Sequence, residues 1–335
     1  MVFPLLSPLL LPALLGLYPA ELPSPVTSLL LHGRFVATKP EFRIIALSNV
    51  ADACAGLATS SPREARACLE RTYELALATR PKGLDLTHPD SNHGLWLSHL
   101  ALVLGAADRT GKCLDEGLHK RVAGELMRRS LSEPLAHVPS YPGVRARWPA
   151  DQSATLASLR RYDVAHEGTL STEPARRYFT VVERSASKDG LPRSEVAQVT
   201  DSGRYPRGCA LSFSVRYLAE VDPPRARALW QRYVAGYLVD GVLVTGFREW
   251  PKGVERAEDA DSGPVVSGIG AAASAFGISA ARAMGDERLA QRLESVADRV
   301  TWLGSKVSAS IDRAASSTLA AAIRASARQQ RALVR

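Results

Sequence analysis

Four stretches of this chain hold most of its chemically capable side chains in unusual company. They are Asp90-Ser91-Asn92-His93, Arg147-Trp148-Pro149-Ala150-Asp151-Gln152, Asp201-Ser202-Gly203-Arg204-Tyr205-Pro206-Arg207, and Arg248-Glu249-Trp250-Pro251 with the following Asp259-Ala260-Asp261-Ser262-Gly263-Pro264. Each alone has a plain reading, because Asp, Ser and Asn cap helices and Pro opens them. Together, with Trp, Tyr and Arg among them, they exceed what capping needs. Polar and aromatic groups converging above an apolar floor are the usual makeup of a ligand pocket.

Asp259 and Asp261 form the sharpest pair. Gly263-Pro264 is expected to turn the chain directly into a helix and to leave Asp261 beside its positive end. That position favours the carboxylate, which suits a base or a hydrogen-bond acceptor. Glu249, between Arg248 and Trp250, is read as the second carboxyl of an acid/base couple, since an indole neighbour desolvates it and favours the acid form. Its alternative is a salt bridge to Arg248 or another rim arginine. Cys209 opens a helix after Arg207-Gly208, where a thiolate would be favoured; a small packed thiol is the default.

Histidines fall at His88, His93 and His99. His93 caps a helix or lines the mouth of the pocket. His99 lies in an apolar helical run and is either a hydrogen-bonded core residue or a catalytic one. The spacing of His93 and His99 does not share one helical face, so no metal is expected on them. No HExxH, Walker A or dinucleotide glycine fingerprint occurs, and no cofactor is implied. Gly268-Ile269-Gly270 is read as close packing inside a helix.

The elements that must position these residues are helices. Apolar spacing and Pro, Gly and Asp boundaries predict them near 41–57, 62–78, 93–107, 114–131, 152–165, 173–186, 207–219, 223–239, 264–284 and 287–303, with a last one over 308–333. Short junctions such as Val221-Asp222-Pro223 and Gly285-Asp286 alternate with the long polar ones, so antiparallel hairpins are expected. The helix after each long junction reads as small and apolar, and its successor carries Arg and Glu stripes. The fold expected is all-α, an (α/α)6-type toroid of five to six hairpins over 36–335, with an open helical solenoid as the alternative.

The chain has 335 residues and a formal net charge of +8. Its basic residues alternate with Asp and Glu along many helices, which reads as solvated faces and not as a nucleic-acid footprint. Met1–Ala20 carries no charge and many leucines, as a signal or membrane-associated arm would, although Pro4, Pro8 and Pro12 break a regular spanning helix. The segment 1–35 is therefore expected to be exported, membrane-attached or packed on the domain, and the chain is read as equally compatible with the cytoplasm. Cys54, Cys68, Cys113 and Cys209 show no zinc or redox spacing, and Cys54 and Cys68 are expected as buried free thiols.

The order of these motifs resembles the linalool dehydratase/isomerase family. The matching pieces are His93–Gly105 with His99 before Leu100-Ala101-Leu102, Trp148–Asp163 ending Leu159-Arg160-Arg161-Tyr162-Asp163, Tyr205–Pro223, and Arg248–Asp286 closing Ala281-Arg282-Ala283-Met284-Gly285-Asp286. The resemblance implies a helical toroid and acid/base chemistry on a small terpene alcohol. It places the family's catalytic histidine at His99. The family's cysteine pair, near the Trp148–Ser153 motif, has no counterpart; Asp151 stands there instead, which favours a more hydroxylated ligand.

The expected function is a lyase or isomerase working by metal-independent general acid/base catalysis on a small molecule, terpenoid-like or sugar-like. His99, Asp151, Glu249 and Asp261 are the expected catalytic residues. His93, Trp148, Tyr205, Arg207, Trp250 and Asp259 are expected to shape and bind. The alternatives are a glycoside hydrolase or polysaccharide lyase with paired carboxylates, whose separation would fix the outcome, and a non-catalytic binding toroid.

Overall fold

Pro and Asp mark where helices begin in this chain, and the structure, a computed structural model, places them so. It describes residues 40–241 and 244–307, together with Ile323, Ser326 and Ala327. Ten helices lie in the two continuous stretches: α1 (Pro40–Gly56), α2 (Pro62–Ala78), α3 (Gly94–Asp108), α4 (Glu116–Ser132), α5 (Pro149–His166), α6 (Thr172–Ser185), α7 (Gly208–Val221), α8 (Pro223–Tyr237), α9 (Ala271–Ala283) and α10 (Glu287–Val307). Proline occupies the first turn of α2, α5 and α8, where its missing N–H costs nothing. Asp115 and Asp222 cap α4 and α8 by accepting from Leu118 N at 2.8 Å and Arg225 N at 3.0 Å.

The odd-numbered helices form an inner layer. α1 packs on α3, α3 on α5, α5 on α7 and α7 on α9, while the even-numbered helices cover them from outside. Burial follows the expected polarity. Every residue of α3 from Gly94 to Ala107 is buried, whereas α6 buries only Pro174, Tyr178, Phe179 and Val182. All five inner helices meet at one apolar cluster: Ile45, Leu95, Leu102, Ala154, Ala157, Phe213, Tyr217 and Phe276, joined by Ile323. The fold is thus all-α, built of successive helical hairpins.

Three expectations are corrected. The predicted helix 264–284 begins only at Ala271. Val265–Val266 and Ile269–Gly270 instead pair as a two-stranded hairpin, β3 and β4, turning through Ser267 (φ 52°) and Gly268 (φ 79°). Two consecutive residues of positive φ make the tight hairpin turn that suits strand twist, so Gly268-Ile269-Gly270 is not helical packing. Likewise the helix predicted to reach 239 ends at Tyr237 and passes into β1 (Leu238–Asp240), paired with β2 (Thr245–Phe247).

The third correction concerns sulfur. Cys54 on α1 and Cys68 on α2 are joined in a disulfide, with Cα atoms 5.7 Å apart, so neither is a free thiol. The bond staples the first hairpin across a short loop. Closing a loop of about 15 residues stabilises by about 3 kcal/mol. Cys68→Ser is therefore expected to cost about 3 kcal/mol in urea unfolding, and wild type in reductant should match it. Equal midpoints for oxidised and reduced wild type would contradict the staple.

The expected arm 1–35 and most of the predicted helix 308–333 lie outside the described residues. Among the described residues no helix is long and apolar enough to cross a membrane.

The C-terminal ends of the inner helices hold a buried ionic network that the sequence reading did not anticipate. Arg161 on α5 donates to Glu220 Oε2 and Oε1 at 2.7 Å each and to Asp52 Oδ1 at 2.7 Å. Arg216 donates to Glu220 Oε1 at 2.6 Å and Asp52 Oδ2 at 2.9 Å, and Arg109 to Asp52 Oδ1 at 2.6 Å. Desolvation alone would raise both carboxyls; the surrounding guanidiniums outweigh it and hold Asp52 and Glu220 below the usual range.

Candidate active site

The opposite rim, at the N-terminal ends of the inner helices, gathers the predicted carboxylates. Gly208 is the reason α7 and the Arg248-Glu249 segment can meet. Its amide donates to Glu249 O at 2.8 Å, and a Cβ there would lie 1.9 Å from Arg248 O and 2.9 Å from the Ala273 Cβ. Only glycine permits that approach. The contact brings the Glu249 side chain over the start of α7, fully buried.

Glu249 is the hub of this cluster. Arg207 Nε donates to its Oε1 at 2.9 Å, the Cys209 amide to its Oε2 at 3.2 Å, and the Cys209 thiol to its Oε1 at 3.0 Å. Burial raises the Glu249 pKa, while Arg207 and the Cys209 bonds pull against it. Arg207 also donates to Asp259 Oδ1 at 2.8 Å and lies over the Trp250 ring at 4.8 Å from its centroid. Glu249 is therefore salt-bridged, as its alternative reading held, but to Arg207 and not to Arg248.

Cys209 is not a thiolate. Burial first and then the Glu249 charge push its pKa well above the usual thiol range, against a smaller opposing effect of Arg207. The helix N-terminus that would have favoured the anion is outweighed by a carboxylate 3.0 Å away.

Asp151 lies in the first turn of α5 and accepts from the Ser140 hydroxyl at 2.5 Å. A helix N-terminus ordinarily lowers a carboxyl pKa. Desolvation outweighs that here: with the Asp261 charge adding to it and the Ser140 bond opposing, Asp151 is pushed up to about 7. Asp261 acts electrostatically on both Asp151 and Cys209, so it belongs to the same rim.

The position of Asp261 has a different origin from the one expected. Gly263-Pro264 does not open a helix. The 259–264 loop folds back onto the later helix start, where Ala272 N donates to Ser262 O and Ala271 N to Pro264 O, each at 3.0 Å. Asp259 organises the loop by accepting from the amides of Asp261 at 3.0 Å and Ser262 at 2.9 Å. Burial would raise its pKa, but Arg207 and these amides hold it low.

Of the remaining predicted residues, Trp250 joins the cluster under Arg207 and Trp148 lies beside the Asp151 turn, whereas the others are dispersed. Trp148 precedes α5 and meets Tyr141 edge-on, ring centroids 6.0 Å apart. Trp250 is buried, and its indole Nε1 has no hydrogen-bond partner. Tyr205 faces Arg256, whose guanidinium lies 5.2 Å from its centroid and bonds Asp201. His93 closes the 3-10 turn before α3 and acts on Asp90; nothing described ties its ring to Asp151 or Asp261.

His99 sits in the middle of α3, with Nδ1 2.8 Å from the Ser48 hydroxyl and its ring against Phe213 and Tyr217. Its Nε2 is buried without a partner. Burial, followed by the Arg161 charge, lowers its pKa to about 3, so the ring is neutral throughout the physiological range. The charges that act on it belong to the ionic network at the far end, and not to the rim carboxylates.

Gly208→Ala provides a direct check of the rim. Overpacking against rigid backbone is expected to cost about 1–3 kcal/mol, read by urea unfolding. It should also expose Cys209 to a thiol reagent, measured in a Cys113→Ser background. Unchanged stability and unchanged thiol reactivity would contradict the close approach.

No family model and no curated protein matches this chain. Ser140 and Cys209 are the rim residues to which sequence reading gave no acid/base role. Ser140 lies in a loop whose return to the start of α5 has no signal in residue type or spacing.

Proposed function

We propose that the rim is the active site of an acid/base enzyme of lyase or isomerase type, acting on a small hydroxylated molecule. The observation that carries this reading is Asp151: a carboxyl held near neutrality, bonded by Ser140 and facing the field of Asp261. A carboxyl whose surroundings hold its proton beside a charged carboxylate is a usual arrangement for paired acid and base. In this reading Asp151 gives its proton to a departing hydroxyl, the C–O bond breaks, and water leaves. Asp261 takes the proton from the adjacent carbon, whose electron pair becomes the new double bond. Arg207, fixed by Glu249 and Asp259, orients the substrate's polar end.

The resemblance to the linalool dehydratase/isomerase family supports the same class. The shared apolar cluster of five inner helices, joined by Ile323, supports closure into a six-hairpin ring. His99 serves here as a neutral hydrogen-bonding group below the rim. The Cys54–Cys68 disulfide supports an oxidising compartment, since such bonds persist outside the reducing cytosol.

A carbohydrate substrate is the second reading. It is favoured by the partly exposed Tyr141–Trp148 pair next to the Asp151 turn, because aromatic faces stack on sugar rings.

The test is a substrate-class screen of terpenoid alcohols and oligosaccharides on wild type, Asp151→Asn and Asp261→Asn. Turnover of one class by wild type, lost in both variants, is the expected result. Identical binding and turnover in all three would remove the carboxyl pair from the mechanism, and binding without turnover would make this a binding domain.

A further inference from the structure

The ends of α3 and α5 carry a second cluster, remote from the rim and unused by the acid/base chemistry. Asp108 is the last residue of α3, His119 lies in the first turns of α4, and His166 is the last residue of α5. Each offers a ligand atom, and the three atoms lie within 4.8 Å of one another. His119 Nδ1 is 2.8 Å and His166 Nε2 3.4 Å from Asp108 Oδ2.

Two features set this apart from an ordinary ion pair. The Nε2 atoms of His119 and His166 are buried and have no hydrogen-bond partner, which is costly for a ring nitrogen without a ligand. Tyr162 also holds both rings: it meets His119 edge-on at 5.0 Å and lies against His166 at 4.4 Å. The imidazoles are thus oriented before any ligand arrives.

Two imidazoles and a carboxylate suit a four-coordinate zinc-class ion that keeps water in its fourth position. Bonds of about 2.0–2.1 Å in tetrahedral geometry put ligand atoms about 3.3 Å apart, close to the 3.4 Å between His166 Nε2 and Asp108 Oδ2.

We propose that Asp108, His119 and His166 bind a zinc-class divalent cation, clamping the ends of α3, α4 and α5 together. With three protein ligands, water completes the fourth position.

Zn²⁺ alone, titrated calorimetrically into the untagged full-length chain, is expected to bind at one equivalent per chain. His166 is on the surface side of the cluster, with 22% of its side chain exposed, so His166→Ala should fold and can be checked by circular dichroism. Its affinity is expected to fall at least about tenfold, as should that of Asp108→Asn. Co²⁺ alone should give tetrahedral absorption that is lost in His166→Ala. Binding by His166→Ala and Asp108→Asn as tight as by wild type, or no stoichiometric binding by wild type, would overturn the site.

Discussion

Arg161→Met is expected to destabilise the folded chain by about 3–5 kcal/mol, the cost of breaking a buried ion pair from one side. Arg161 lies between the carboxylates of Asp52 and Glu220, its guanidinium at 2.7 Å from each. Methionine fills much of the space but leaves two carboxylates as neighbours in a buried site. Arg109 and Arg216 remain, so total charge is balanced and Arg216 still bridges the pair, but the four hydrogen bonds that Arg161 gives the two carboxylates are lost. The loss therefore comes from position and hydrogen bonding more than from net charge.

The pH dependence follows from the same geometry. Asp52 and Glu220 have folded pKa values below their unfolded ones. Such groups contribute stability that is present above the unfolded carboxyl pKa and is lost as pH falls through the folded value. The gap between wild type and Arg161→Met should be widest near neutrality and shrink on acidification below about pH 4. Urea unfolding at several pH values checks this. A gap under about 1 kcal/mol at pH 7 would mean that the network is no more than a surface pair.

Asp151→Asn carries the largest expected effect on activity. Removing a positioned general acid costs typically about 10²–10⁴-fold in rate. With Asp151 pushed up to about 7, the wild-type rate should fall as pH rises through neutrality and the acid form is lost. The variant should lose that limb. Stability should move the other way. A carboxyl raised on folding costs stability as pH climbs from its unfolded value to its folded one. Asparagine removes that cost, so the variant should be at least as stable as wild type at pH 8, with the difference vanishing near pH 4. Loss of activity together with loss of stability at pH 8 would instead mark Asp151 as a structural residue.

The helical frame was legible because Pro, Asp and Gly punctuate it and because inner and outer helices differ in polarity along their whole length. α3 and α6 illustrate the contrast: one reads apolar on every face, the other on one stripe. The start of α9 was not legible, since Val265–Gly270 has the same small, apolar composition as a buried helix and only the turn at Ser267-Gly268 distinguishes it. The ionic network escaped for a related reason. Arg161, Arg216 and Glu220 read like solvated helix charges, and nothing local shows that their faces turn inward to meet Asp52. Pairing Cys54 with Cys68 needs the register of α1 against α2, which spacing alone does not fix.

The rim was legible as a set of segments but not as a set of bonds. Asp151 and Asp261 were identified by their positions before inner helices, although the second is placed by a folded-back loop and not by a helix start. Glu249 was recognised as a desolvated carboxyl, but its partner Arg207 comes from another segment, 42 residues away in sequence. His99 matched a resemblance, whereas its hydrogen bond to Ser48 depends on the packing of α1 against α3.

The protonation of Asp151 is the property on which the proposed acid depends most directly. Carbon-13 NMR titration of its side-chain carboxyl, assigned by difference with Asp151→Asn, measures it without knowledge of the substrate. A midpoint near 7 is predicted, moving downward in Asp261→Asn as the neighbouring charge is removed. A midpoint near or below 4, unaffected by Asp261→Asn, would contradict the proposed acid and the site built around it.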